Sequence, residues 1–150
     1  MSIRVRVVGA GALATRLAHM RQEMQGRLTE AMNISVRDVQ EQARADHRFT
    51  TRTGEAERSI ATEVKGRGMN VAGTVGTTRL ITIYLHQGTK PHTIVPRSKQ
   101  VLRWPTGSGF QFAKRVQHPG TKKDPFIFNA ADAEEPKIVS RFDRIFDELG

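Results

Sequence analysis

From Leu13 to Ala43 the apolar residues recur at steps of three and four: Leu13, Leu17, Met20, Met24, Leu28, Ala31 or Met32, Val36, Val39 and Ala43. That spacing lines one face of a helix running to about residue 46. Gly26 and Asn33 are poor interior residues, so the segment reads as one bent helix or two. Ahead of it, Ile3, Arg4, Val5, Arg6 and Val7 alternate. Residues 3–8 are therefore expected as a strand rather than a secretory signal, and Gly9-Ala10-Gly11 as a turn.

Beyond a polar stretch at 46–58, with room for one helical turn near Gly54, the period drops to two. Ile60, Thr62 and Val64 mark one strand face, and Val71, Gly73 and Val75 the next, with Gly66-Arg67-Gly68 turning between them. Gly76-Thr77-Thr78 turns again, and Leu80 to His86 reads as the most apolar strand. Pro91 and Pro96 bracket a short extended piece, Thr93 to Val95. Val101 to Trp104 and Phe110 to Val116 read as a hairpin around Gly107-Ser108-Gly109. Helix then returns. Asp124 has the chemistry of an N-cap, with Pro125 at the first helical position. Phe126 to Glu135 follows, Pro136 is expected to break or kink the helix, and Ile138, Phe142, Ile145 and Leu149 continue the apolar face. The expected fold is one α+β domain over 1–150. An antiparallel sheet of about four to six strands packs with a long N-terminal helix and a C-terminal helix or helices. Strand and helix occupy 1–46, sheet and loops 59–123, and C-terminal helices 124–149.

Composition narrows the chemistry. Without cysteine there is no disulfide, thiol nucleophile or iron–sulfur site. The apolar runs are too short for a membrane-spanning helix, and a soluble protein folded in a reducing cytoplasm is expected. The net charge is +9, from 24 basic and 15 acidic residues. Residues 64–123 hold 11 of the basic residues and no acid, whereas 124–150 sum to −4. A sixty-residue segment without a carboxylate attracts a polyanion or an acidic protein surface, and it cannot house paired-carboxylate catalysis or a carboxylate-held cation.

Several candidate sites can be weighed on residues alone. Val7-Val8-Gly9-Ala10-Gly11-Ala12-Leu13-Ala14 has the look of a dinucleotide-binding glycine turn, but no βαβ unit or ribose-binding acid follows. It reads as a plain strand-to-helix turn. His86, His92 and His118 fall in different turns and loops, without acids nearby to orient them, so no metal is expected. His19 and His47 read as ordinary helix and loop residues. His86, His92, His118, Tyr84, Lys114 and Arg115 are the groups a metal-independent ribonuclease would need, though their spacing specifies nothing. Phe110, Phe112 and Trp104, near Arg103, Lys114 and Arg115, are either a base-stacking platform or the buried face of a hairpin. The second is preferred, because nine aromatics must supply the core.

A series of short motifs points further. Thr53-Gly54-Glu55-Ala56-Glu57-Arg58-Ser59-Ile60 resembles the "TGxLxxSI" segment of small tail-completion (neck) proteins of long-tailed bacteriophages. Tyr84-Leu85-His86-Gln87-Gly88-Thr89-Lys90-Pro91-His92 resembles that family's "YVEFGTKPH" turn. Ile94, Pro96 and Val101-Leu102-Arg103-Trp104-Pro105 resemble "IxPKxxKALRFP". Phe112-Ala113-Lys114-Arg115-Val116-Gln117-His118-Pro119-Gly120-Thr121-Lys122 resembles "FAKRVxHPGTKP", and Asp124-Pro125-Phe126-Ile127 the "PFLxPAL" start of the last helix. The resemblance covers roughly 53–133. It departs at Ala56, at His86-Gln87 and at Asp124-Pro125, and 136–150 carry no matching motif.

The resemblance implies a structural virion protein at the head–tail junction of a phage or prophage particle, without catalysis or cofactor. It would form a homo-oligomeric ring, expected to be hexameric. Its partners would be the head connector or stopper, the tail terminator or tail tube, and genomic DNA passing without sequence recognition, with no membrane. Gly88, Thr89, Lys90, Pro91 and His92, with His118, Pro119, Gly120 and Thr121, are then the expected assembly loops, free to take non-sheet paths against a partner. Arg97, Lys99, Arg103, Lys114, Arg115, Lys122 and Lys123 form the expected basic surface, facing an acidic protein partner or the DNA lumen. The alternative is a small basic nucleic-acid-acting protein, either a ribonuclease-like toxin or a simple binder.

Overall fold

The computed structural model describes residues 10–148. Along them run α1 (Ala10–Ala45), α2 (Glu55–Arg58), β1 (Ala61–Arg67), β2 (Asn70–Gly76), α3 (Leu80–Gln87), β3 (His92–Ile94), β4 (Leu102–Thr106), β5 (Gly109–Ala113), β6 (Val116–His118) and α4 (Phe126–Asp147). Helix and strand are mixed as expected, with a long N-terminal helix and a C-terminal one. Among the described residues no sheet of four to six strands is formed: the strands make three separate antiparallel pairs, β1 with β2, β3 with β6 and β4 with β5. The expected strand at 3–8, with Gly9, lies outside the described residues, and Ala10 and Gly11 already belong to α1 rather than to a turn.

The missing sheet has a local cause. Leu80–Gln87, expected as the most apolar strand, is helix α3. Thr82, Ile83, Leu85 and His86 are turned inward while Leu80, Ile81, Tyr84 and Gln87 are exposed, a helical repeat. A short apolar run has no period that separates helix from strand. Its ends decide: Thr77 Oγ1 accepts from the Arg79 N–H (3.1 Å) before the first turn, and Gly88, at φ 78°, closes the last with its N–H on the Tyr84 carbonyl.

The chain divides into two compact units. The first comprises the described parts of Met1–Asp46, Ile60–Gly76 and Ile127–Gly150. Its α1 runs unbroken through Gly26 and Asn33, so it is one helix. The C-terminal part of the apolar stripe, Leu28, Ala31, Val36, Val39 and Ala43, is buried. Against it lies the β1–β2 hairpin, in register from Ala61↔Gly76 to Arg67↔Asn70. A lone hairpin is marginal in water, and α1 supplies the apolar surface it lacks. Contact is closest at Gly73, where a Cβ would lie 2.4 Å from Val36 Cγ1 and 2.6 Å from Met32 Sδ. Gln40 and Arg44 both donate to the carbonyl of buried Ile60, at 2.6 and 3.0 Å.

Helix α4 is not broken at Pro136, one of the two outcomes expected there, and continues through it. Pro136 is exposed, so the carbonyl it leaves without an N–H partner can turn to water. Arg141 donates to Ser35 Oγ (2.7 Å) and Asp38 Oδ2 (2.5 Å) on α1. Ile138, Phe142 and Ile145 are half-buried, as their spacing predicts, and Leu149 lies outside the described residues.

The second unit comprises His47–Ser59 and Thr77–Phe126. It is built around aromatic rings. His47 stacks on Phe49 at 3.8 Å between centroids, and Phe126, fully buried, meets Phe49 and His86 edge-on at 5.2 and 5.4 Å. Asp124 stands just before α4, but its carboxylate does not serve as the expected cap. It accepts the Arg48 N–H at 2.6 Å and is buried there. A second tie is made of hydroxyls. Ser59 Oγ donates to the Ala56 carbonyl (2.7 Å) and lies 2.9 and 2.8 Å from the hydroxyls of Thr77 and fully buried Thr82. Thr82 Oγ1 also reaches the Ala56 carbonyl, at 3.5 Å, so Ser59 and Thr82 share that acceptor.

Candidate functional site

The two loops expected to bind partners bind each other. Thr89 and Thr121 exchange backbone hydrogen bonds (2.9 and 3.2 Å), and Thr89 Oγ1 takes a further one from the Thr121 N–H. A few residues on, β3 and β6 pair His92↔His118, Thr93↔Gln117 and Ile94↔Val116. Of the expected loop residues His92 and His118 lie in this ladder, while Lys90, Pro91, Pro119 and Gly120 run outside strands. Glycine makes the approach possible. Gly88 (φ 78°) and Gly120 (φ 88°) occupy the left-handed region, and a Cβ on either would strike the opposing backbone.

His92 and His118, read as belonging to separate loops, are stacked with centroids 5.1 Å apart. His92 Nδ1 faces the Lys90 carbonyl at 2.9 Å and must donate to it. His118 Nδ1 accepts from the Gly120 N–H at 3.0 Å, so a neutral His118 carries its proton on Nε2. His86 is elsewhere, on α3 beside Phe126. Burial, then the positive charge of Lys123, lower its pKa against the opposing pull of Asp124. Among the described residues no three or more His, Asp or Glu side chains are arranged to hold a metal ion.

Beside the paired loops is an open groove of about 520 Å³, formed by residues 49–57 with Ile81, Leu85, His118 and Thr121. Glu57, which lines it, lies 3.4 Å from His47, read as an ordinary loop residue. Burial works to raise the Glu57 carboxyl. The Thr51 hydroxyl, a backbone N–H and the charges of His47 and Arg58 outweigh it and hold the group below the usual glutamate value. Sequence spacing offered no sign of this pair, because His47 is placed by ring contacts to Phe49 and distant Phe126.

All seven residues of the expected basic surface are exposed. Arg97, Lys99 and Arg103 share one shallow groove of about 550 Å³ with Pro96, Ser98, Val101, Leu102 and Phe112. Lys114 and Arg115 link β5 to β6, and Lys122 and Lys123 follow Thr121. The β4–β5 hairpin forms around the predicted turn, at Gly107-Ser108, but its second strand ends at Ala113, and Val116, expected in it, pairs with Ile94 in β6 instead. Its aromatics do not behave as predicted. Phe110 and Phe112 are 54% and 62% exposed rather than core, and the Arg103 guanidinium lies over the Phe110 ring at 3.6 Å. The two-stranded pair has no further layer among the described residues to bury that face.

Among the described residues no helix is long and apolar enough to cross a membrane. No protein-family model, curated protein or solved structure matches the chain.

Proposed function

We propose that this protein is a structural subunit of a tailed-phage particle, forming a ring at the head–tail junction through which DNA passes. One observation carries the proposal: each unit presents large apolar side chains to solvent in groups. In the first, Leu13, Leu17 and Met20 of α1 are 59%, 56% and 52% exposed; in the second, Leu80, Ile81 and Tyr84 of α3 and Phe110 and Phe112 of β5 are exposed. Grouped exposure of this kind marks surfaces that other chains cover. A ring subunit needs at least two such surfaces, one for each neighbour, besides those for head and tail. The sequence motifs agree, since the two stretches that most resemble the neck family, 84–92 and 112–122, meet in a single paired element. The basic groove at Arg97, Lys99 and Arg103 offers a contact for an acidic connector or tail surface.

A second reading has its own support. Arg103 over Phe110, with Phe112 and two further cations, Arg97 and Lys99, close by, is the composition of a single-stranded nucleic-acid platform. Native mass spectrometry and negative-stain electron microscopy of the purified protein separate the readings. Closed rings with an open centre are expected. A monomer that binds or cleaves single-stranded RNA without added metal would favour the alternative.

A further inference from the structure

We propose that the exposed half of α1 seats on the outer face of α4 of a neighbouring copy, and that this helix–helix contact links subunits in sequence. It rests on the reading that the chain assembles with itself. Residues 11–23 of α1 are all exposed. On them Leu13, Leu17 and Met20 continue the stripe that Leu28 and Ala31 bury further along, and Arg16 and Arg21 flank it on either side. No acid occurs in the described chain before Glu23, which pairs with Arg27 at 3.0 Å.

The outer face of α4 has the opposite character. Asp132, Glu135, Val139, Asp143 and Phe146 follow at steps of three, four, four and three, which aligns them, and all five are exposed. The helix's cations, Lys137, Arg141 and Arg144, point elsewhere: Lys137 pairs with Glu134, and Arg141 with Ser35 and Asp38. Among the described residues Asp132, Glu135 and Asp143 have no ion-pair partner, and neither do Arg16 and Arg21. At about 1.5 Å per residue the α1 stripe from Leu13 to Met20 runs roughly 11 Å and the α4 stripe from Asp132 to Phe146 roughly 21 Å, so the first fits within the length of the second.

Charge selects the pairing. Two α1 stripes brought together would oppose arginine to arginine, and two α4 faces acid to acid. Each face repels its own kind and attracts the other. A contact between unlike faces of identical chains either closes reciprocally in a two-fold dimer or runs head-to-tail into a closed ring or an open filament, and the ring reading requires the second.

The test uses the absence of cysteine. L17C and V139C chains are mixed under mild oxidation, each also being oxidised alone, with circular dichroism verifying the fold and native mass spectrometry reporting assembly. Disulfide-linked 17–139 pairs, formed only in the mixture, are expected. R16E/R21E should weaken self-association by about tenfold or more, and adding E135K/D143K to the same chain should restore it. Oligomers without the 17–139 link, or with 17–17 links instead, would overturn this contact and leave the assembly reading standing. A chain that stays monomeric at every concentration would overturn both.

Discussion

Gly120 lies under Thr89 so closely that a Cβ on it would stand 2.2 Å from the Thr89 carbonyl oxygen. Its φ of 88° is also one that L side chains avoid. Both the packing of the two loops and the backbone conformation therefore require glycine. Gly120→Ala is expected to cost roughly 2–4 kcal/mol. Urea unfolding would measure it, and hydrogen exchange at the Thr89 and Thr121 amides should accelerate first. Stability within a few tenths of a kcal/mol of the native chain would refute the close approach.

Gly73 holds the equivalent place in the first unit, where β2 meets Val36 and Met32 of α1. Gly73→Ala overfills that contact and should destabilise by about 1–3 kcal/mol. Combining it with Val36→Ala gives the new methyl room. The double variant should lose less than the two single losses added together, and simple additivity in a double-mutant cycle would count against the contact.

Acid should weaken the fold in two stages. The pKa of His86 is lowered in the folded chain, so above the ordinary value of 6.5 both states are neutral and the full stability is present. As pH falls below that value the unfolded chain takes up its proton first, and stability drops. Glu57 is also lowered, so its contribution is present above the ordinary 4.5 and is lost as pH falls further. Urea midpoints between pH 8 and 4 would trace this. Lys123→Gln removes one cause of the His86 shift, so it should reduce the loss as pH falls below the ordinary 6.5.

Phe112→Ser should leave stability within about 0.5 kcal/mol, because the ring is mostly exposed. The same change, made with Phe110→Ser and Arg103→Gln, separates the two functional readings. Weakened ring assembly with native affinity for single-stranded RNA would assign this face to a subunit contact and remove the platform from consideration. A steep loss of RNA binding with assembly intact would favour it.

Long-range periodicity made parts of the fold legible. The stripe from Leu13 to Ala43 spans too many turns to be mistaken for strand, and the alternation from Ile60 to Val75 located β1 and β2. Gly107-Ser108 located the turn of the β4–β5 hairpin. Glycine and proline at 88–91 and 119–120 marked the loops of the candidate site, but nothing local revealed that they pair with each other. His47 was illegible for the same reason, since the Phe126 ring that helps to place it is 79 positions away.

Sequence by itself determined the long first helix, the hairpin turns, the last helix and the acid-free segment. Each of these depends on spacing or charge within a few turns of chain, and local propensity records that. Only the tertiary structure decided three other matters. Leu80–Gln87 became helix with Thr82 buried against the Ser59 hydroxyl, 23 positions away. Asp124 gave its carboxylate to Arg48 rather than to a cap. Phe110, Phe112 and the first half of α1 stayed exposed, because apolarity records a tendency to be covered without naming the surface that covers it.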